Sequence, residues 1–138
     1  MPEISAIDIE KRMGKDYTAR ARWGEMLVAN ICETMSEFKE ISWVNRKSET
    51  CLPYDVTAVQ YSTGNVLHIE VKTSISAGTV SNTFIVSENE IVEPCRLKAS
   101  FEFWLVHLNS ETSTVSITRL QNPSGGCGVS IVLLCNLV

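Results

Sequence analysis

The sequence predicts one α/β or α+β domain, in which a long N-terminal helix packs on a mixed β-sheet. Apolar residues recur at helical spacing near the N-terminus, and later runs are rich in Val, Ile, Tyr and Phe. A chain of 138 residues has the size of one domain and can bury a core. The hydrophobic content of 44% and the charged content of 20% are typical of folded globular proteins.

Residues 4–38 are predicted to be helical. A short separate helix near residues 5–11 is an alternative for its beginning. Gly24 is the weak point, since Gly inside a helix costs about 1 kcal/mol relative to Ala. Close approach of the helix to the sheet would explain why a glycine stands at this position. The apolar positions that carry the helical period are Met13, Tyr17, Ala21, Leu27, Val28, Ile31, Met35 and Phe38.

Basic residues gather in the first part of this helical segment. A solvated helix face accounts for them, and a contact surface for a phosphate backbone is the functional alternative. The net charge of −4 argues against extensive wrapping of nucleic acid, but it leaves room for a local basic patch. These residues are Lys11, Arg12, Lys15, Arg20 and Arg22.

A β-hairpin over residues 54–72 is the centre of the prediction. A first strand at 41–44 and a polar loop precede it, and a turn at 62–65 joins its two strands. If Tyr61 pairs with Val66, the alternation of side chains puts Asp55, Glu70 and Lys72 on one face of the sheet. Two carboxylates that are diagonal neighbours can hold one divalent cation.

The opposite face of the hairpin is apolar and is predicted to pack against a helix or the core. It carries Val56, Ala58, Leu67, Ile69 and Val71. His68 alternates onto the face of the acids, where we expect it to pack or to hydrogen-bond and not to bind metal. Trp23 and Trp43 are expected to be core residues.

The second half of the chain is predicted to continue the sheet. Residues 73–83 read as a polar loop, and Ser87 and Glu90 fit a capping box that opens a helix. The predicted elements are a strand at 84–86, a helix at 88–99, strands at 101–108 and 114–120, a Pro/Gly loop at 121–128, and a last strand or docking segment at 129–138.

The five cysteines predict reduced thiols in an intracellular compartment, cytoplasmic or nuclear. No pair has the spacing of a zinc site, and no His stands near a Cys as a catalytic base would. The N-terminus has no apolar core of the signal-peptide type. The most apolar run, residues 129–138, is too short to span a bilayer, so we expect no membrane association.

Motifs in the first two-thirds of the chain resemble a known family. Trp-Gly-Glu at 23–25, Trp-Val-Asn at 43–45, Leu-Pro-Tyr-Asp at 52–55, Ile-Glu-Val-Lys-Thr at 69–73 and Phe-Ile-Val-Ser-Glu-Asn-Glu at 84–90 occur in this order. They are similar to the C-terminal domain of the plant protein NO VEIN, over residues 20–108. The Asp followed by Glu-x-Lys also resembles the PD-(D/E)xK nuclease superfamily, although Tyr54 separates Pro53 from Asp55.

The resemblance implies a restriction-endonuclease-like core and a role for each site residue. Asp55 and Glu70 match the carboxylates that bind Mg²⁺ or Mn²⁺, and Glu25 matches the helix glutamate that completes the metal shell. Lys72 matches the lysine that serves the attacking water and the scissile phosphate. The implied arrangement is one nuclease-like domain over residues 1–138, with its core at about 15–120 and a C-terminal extension at 121–138.

Two functions remain open at this point. The first is metal-dependent cleavage of nucleic acid, DNA in particular, by a homodimer or by a component of a larger complex. The second is a nuclease-fold scaffold that has lost cleavage and binds nucleic acid or protein within an assembly. The complete set of Asp55, Glu70 and Lys72 favours the enzyme. The acidic net charge and the apolar C-terminal segment favour the scaffold.

Overall fold

One helix and six strands make up the part of the chain that is described. The computed structural model describes residues 17–77, 96–121 and 130–136. A 3₁₀ turn, Lys98–Ser100, leads into the fourth strand. The elements are α1 (Tyr17–Thr34), β1 (Phe38–Trp43), β2 (Val56–Gln60), β3 (Val66–Ser76), β4 (Phe101–Asn109), β5 (Thr114–Gln121) and β6 (Ser130–Asn136).

The strands form one mixed sheet in the order β1-β2-β3-β4-β5-β6. Strands β3 and β4 are parallel, and every other neighbouring pair is antiparallel. Helix α1 packs against β1, β2 and β3. This is an α+β fold with a helix on a mixed sheet, which confirms the predicted fold class.

The predicted helix extends too far at its C-terminal end. Residues 4–16 lie outside the described residues, but α1 ends at Thr34 and Phe38 begins β1. A tight turn separates them, in which the amide of Phe38 donates to the carbonyl of Met35 at 3.3 Å. Phe38 is buried in the core beside Trp104. In the sequence, Phe38 continues the helical spacing of apolar residues although it is not in the helix. The turn explains this, because it returns the side chain of Phe38 to the core that α1 contacts.

The hairpin of β2 and β3 forms with a register shifted by two residues from the predicted one. Thr57 pairs with His68 and Val59 pairs with Val66, so the expected partnership of Val59 with His68 is wrong. The turn has the predicted four residues but begins one residue earlier, at Tyr61, because the amide of Gln60 donates to the carbonyl of Asn65 at 2.9 Å; within it Gly64 takes a φ of 72°. A shift of two leaves each side chain on its predicted face.

Strand β3 is longer than predicted, and this corrects the loop expected directly after Lys72. The strand continues to Ser76 because each residue from His68 to Ser76 pairs with β4 in a parallel ladder. The predicted strands at 101–108 and 114–120 are confirmed as β4 and β5, and the last strand is β6. The strand at 84–86, the capping box at 87–90 and most of the loop at 121–128 lie outside the described residues.

The core lies between α1 and the apolar face of the sheet, as the sequence predicts. The five apolar hairpin residues of that face are all buried. Trp104, Val106 and Leu108 of β4 extend the same cluster, and Trp23 and Trp43 pack at its edge. At about 25 cal/mol per Å² of buried apolar surface, this face supplies the main force that docks α1 on the sheet. The opposite face carries Glu70 and Lys72 on β3, beside the buried Phe103 and Leu105 of β4.

Among the residues described, no helix is both long enough and apolar enough to cross a membrane.

Candidate active site

Asp55 lies where the chain enters β2, and two backbone contacts fix it there. Its amide donates to the carbonyl of Ile69 at 2.8 Å, and its carbonyl accepts from the amide of Val44 at 2.9 Å. The side chain is fixed as well, since Oδ2 accepts the amide of Val71 at 2.9 Å. The carboxylate is therefore held at the junction of β1, β2 and β3.

Strand β3 brings Glu70 and Lys72 to the same place. The ladder begins at Val56, opposite Ile69, and the amide of Asp55 donates to the carbonyl of the same Ile69, so the expected position of Asp55 opposite Lys72 is wrong. Glu70 is buried, with 7% of its surface exposed. Its Oε1 lies 3.3 Å from Nζ of Lys72, whose side chain is 23% exposed. The lysine can thus reach a ligand from solvent while it remains paired with Glu70.

Helix α1 adds Glu25, and Gly24 lets it approach. A Cβ atom on Gly24 would lie 1.8 Å from Oγ1 of Thr73, so no larger residue fits between the helix and β3. This confirms the expected close approach at Gly24. Glu25 is buried, and its Oε1 accepts hydrogen bonds from Nε1 of Trp43 at 3.2 Å and Nδ2 of Asn45 at 3.0 Å.

Asn45 connects the helix glutamate to Asp55, and the sequence prediction gave it no role. Its Nδ2 donates to Oε1 of Glu25 and to Oδ1 of Asp55, both at 3.0 Å. Its Oδ1 accepts from the amide and the hydroxyl of Thr50. The residue is 1% exposed. A signal was present, since Asn45 closes the Trp-Val-Asn motif.

The four predicted site residues are therefore brought together from three elements. We call Glu25, Asp55 and Glu70 the acidic cluster, with Lys72 as its cation. Burial, and next the charge of Glu25, raise the pKa of Asp55 from 3.8 to about 7. The Val71 amide, Glu70 and Lys72 lower that pKa but do not offset the rise. Asp55 thus takes up a proton near neutral pH, or it needs a cation that replaces the proton.

The other candidates have structural partners. Arg22 donates to the carbonyls of Asn45 and Arg46, both at 2.9 Å, and its guanidinium lies over the ring of Trp43. It holds the loop that carries Asn45. Lys11, Arg12 and Lys15 lie outside the described residues. His68 contacts the Tyr54 ring edge-on and the carbonyl of Ser100, which are the packing and hydrogen-bonding contacts expected of it.

Cys32 offers no nucleophile. It is fully buried, and burial raises the pKa of its thiol to about 12. Cys32 and the exposed Cys51 are both free of disulfide bonds. Within the described ranges, His, Cys, Asp and Glu form no group of three or more side chains with the geometry of a metal site. Among the described residues, Asp55 and Glu70 are the carboxylates that could share a cation, with water completing its coordination.

Comparison with protein families gives one match. The model of the family described as "Protein NO VEIN, C-terminal" matches residues 24–118. Neither the curated proteins nor the solved structures yield a match. The matched range includes all three residues of the acidic cluster, together with Asn45 and Lys72.

Proposed function

The chain belongs to the NO VEIN C-terminal family, and we propose that it is a metal-dependent nuclease of the PD-(D/E)xK superfamily with a restriction-endonuclease-like core. Its substrate would be nucleic acid, DNA in particular. One observation carries the proposal: three buried or half-buried carboxylates and one partly exposed lysine converge at the junction of α1, β2 and β3. Carboxylates that meet in a buried position are costly to ionise, and a bound cation lowers that cost.

The donor set suits Mg²⁺ or Mn²⁺. Asp55 and Glu70 would hold the ion, and Glu25 would act on it through water or directly. Mg²⁺ keeps several of its waters and needs only one or two carboxylates, so the absence of a third ligating group among the described residues does not count against it. When bound, the ion would supply charge neutralisation at the scissile phosphate.

The protein's own groups divide the remaining work. Lys72, paired with Glu70 and reachable from solvent, would contact a phosphate oxygen and the attacking water. Asn45 and the Val71 amide would fix the orientation of Asp55, because each donates to a different carboxylate oxygen. The remaining lone pair on each oxygen would be available for the cation.

Cellular context forms part of the proposal. The free thiols of Cys32 and Cys51 support an intracellular setting, where cysteines stay reduced. A homodimer or a larger complex would supply the choice of target.

One observation favours the second candidate, a scaffold without cleavage. The amide of Asn45 occupies one oxygen of Glu25 and one of Asp55, which is how a purely structural network satisfies buried acids. Such a scaffold would not need a divalent cation. Metal binding therefore separates the two candidates.

The test is cleavage of supercoiled plasmid, linear duplex, single-stranded DNA and RNA with Mg²⁺, Mn²⁺ or EDTA. We expect metal-dependent nicking that falls about 100-fold or more in Lys72→Ala, the scale of lost general acid–base catalysis. Lys39→Ala, which removes an exposed lysine from β1, is the matched control and should cleave normally. Absence of both cleavage and Mn²⁺ binding would overturn the nuclease. Mn²⁺ binding that survives in the Asp55→Asn, Glu70→Gln double variant would rule out this site.

A further inference from the structure

A second polar group lies on the same face of β3, immediately beyond Lys72. Residues 70, 72, 74 and 76 alternate onto one face of the strand. Ser74 pairs in register with His107 of β4, and the ladder continues to Ser76 and Asn109. Oγ of Ser74 lies 2.8 Å from Nδ1 of His107, and Oγ of Ser76 lies 3.3 Å from Nε2. Both ring nitrogens are thus engaged by serine hydroxyls.

These three side chains differ in their exposure to solvent. His107 is 4% exposed, while Ser74 and Ser76 are exposed. A ligand on this face would therefore touch the hydroxyls and not the imidazole. Both serines belong to paired strand and not to a loop, so their spacing is fixed by the β3–β4 ladder.

The chemistry of imidazole decides what these hydroxyls can offer. A neutral ring has one N–H donor and one acceptor nitrogen, so it donates to one serine and accepts from the other. The serine that accepts from the ring retains its own O–H hydrogen for an external acceptor. The pair therefore presents one oriented donor, which suits a phosphate oxygen.

Position relates this pair to the proposed active site. Ser74 is two residues beyond Lys72, about 6.6 Å along the strand at roughly 3.3 Å per residue. A nucleic-acid strand that places its scissile phosphate at Lys72 and runs along β3 would bring its neighbouring phosphate near Ser74. We infer that Ser74 and Ser76, held in orientation by His107, bind the phosphate adjacent to the scissile one. This inference rests on the proposed function.

The experiment compares small nucleotides that carry one or two phosphates. Binding of thymidine 3′,5′-bisphosphate and of the two thymidine monophosphates is measured by calorimetry with Ca²⁺, so that no cleavage is needed. The unmodified protein should bind the bisphosphate more tightly. In the Ser74→Ala, Ser76→Ala double variant that preference should fall about tenfold, the size of a hydrogen bond to a charged group, while monophosphate binding stays the same.

The matched control is Ser62→Ala, an exposed serine in the turn between β2 and β3. It should keep the full preference for the bisphosphate. An unchanged preference in the double variant would overturn the inference and leave the proposed active site standing. An equal loss for all three nucleotides would also overturn it, because that result indicates damage at the primary site. No binding of any nucleotide by the unmodified protein would overturn both proposals.

Discussion

Two groups of charged side chains in the fold are balanced differently. In the first, the acidic cluster, Lys72 pairs with Glu70 and its charge also acts on Asp55. In the second, which we call the arginine cluster, Arg119 is bound by Glu102 and Glu37. The parallel register of β3 and β4 sets Glu102 beside Ile69, on the core side, while Glu70 lies on the other side.

The arginine cluster has the features of a structural ion pair. Nε of Arg119 donates to Oε1 of Glu102 at 2.8 Å, and a second nitrogen donates to Oε2 at 3.1 Å. The indole N–H of Trp104 also donates to Oε1 of Glu102, and the guanidinium of Arg119 lies over the rings of Trp104 and Phe38. The carboxylates raise the pKa of Arg119 against the opposing effect of burial. Each charge here has its partner.

The acidic cluster is held differently. Among the described residues, Glu25 and Asp55 receive hydrogen bonds from the neutral donors Asn45, Trp43 and the Val71 amide, and Glu70 pairs with Lys72. Because the pKa of Asp55 rises to about 7, the cluster weakens the fold at neutral pH. The contrast teaches that burial alone does not mark a functional site. The useful sign is a buried carboxylate whose pKa is raised by burial and by a neighbouring carboxylate.

Arg119→Met should have the largest effect on stability. The substitution leaves Glu102 buried without its cation, and breaking a buried pair from one side costs about 3–5 kcal/mol. We expect the free energy of unfolding, measured with urea, to fall by that amount. A Glu102→Met, Arg119→Met double variant should recover most of the loss, because two apolar residues can replace a buried pair. A single variant that loses less than about 1 kcal/mol would contradict the structural role.

The acidic cluster should make stability fall as pH rises, the opposite of a carboxylate whose pKa the fold lowers. Between pH 3.8 and about 7, folded Asp55 retains a proton that the unfolded chain has released. The free energy of unfolding should therefore fall as pH rises through this window, by about 1.4 kcal/mol per pH unit at most. Urea unfolding from pH 4.5 to 8 measures this slope.

Asp55→Asn should reduce that slope. The substitution also loses one hydrogen bond, since Asn45 and Val71 both require an acceptor and an amide has one oxygen. Glu111→Gln, in an exposed turn, is the control and should keep the slope. Equal slopes in the Asp55 variant and the unmodified protein would show that another group titrates.

The sequence could predict the parts of the site that depend on alternation. Glu70 and Lys72 share a face for any register, and a shift of two residues did not move them. It could not predict which residue of β3 Asp55 contacts, because that depends on where the turn that contains Gly64 begins. The sequence also could not predict that β3 extends to Ser76. The mostly polar residues 73–76 are typical of a loop, and they form a strand because they pair with β4.

Asn45 shows the other limit. Its role depends on three side chains from separate elements, Glu25, Thr50 and Asp55. No local period or propensity encodes such a meeting. The buried pair of Glu102 and Arg119 was missed for the same reason, because its partners are 17 residues apart on β4 and β5.

Gly24→Ala should affect the acidic cluster more than the arginine cluster. The new methyl group would overlap Thr73, so α1 must move away from β3 and take Glu25 with it. We expect a loss of about 1–3 kcal/mol in unfolding free energy, the usual cost of overpacking, although Ala favours a helix. Mn²⁺ affinity should fall as well. Thr73→Ala in the same chain removes the closest atoms and should restore both, whereas no restoration would exclude the steric cause.

Glu37→Gln should have the smallest effect, although Glu37 makes the shortest contact of the arginine cluster. Its Oε1 lies 2.7 Å from Arg119, but its side chain is 45% exposed. Water can replace the lost charge there, and Arg119 keeps both of its bonds to the buried Glu102. The free energy of unfolding should fall by less than about 1 kcal/mol, and the difference should shrink in high salt. A loss as large as that of Arg119→Met would mean that distance, and not burial, decides which charges hold this fold together.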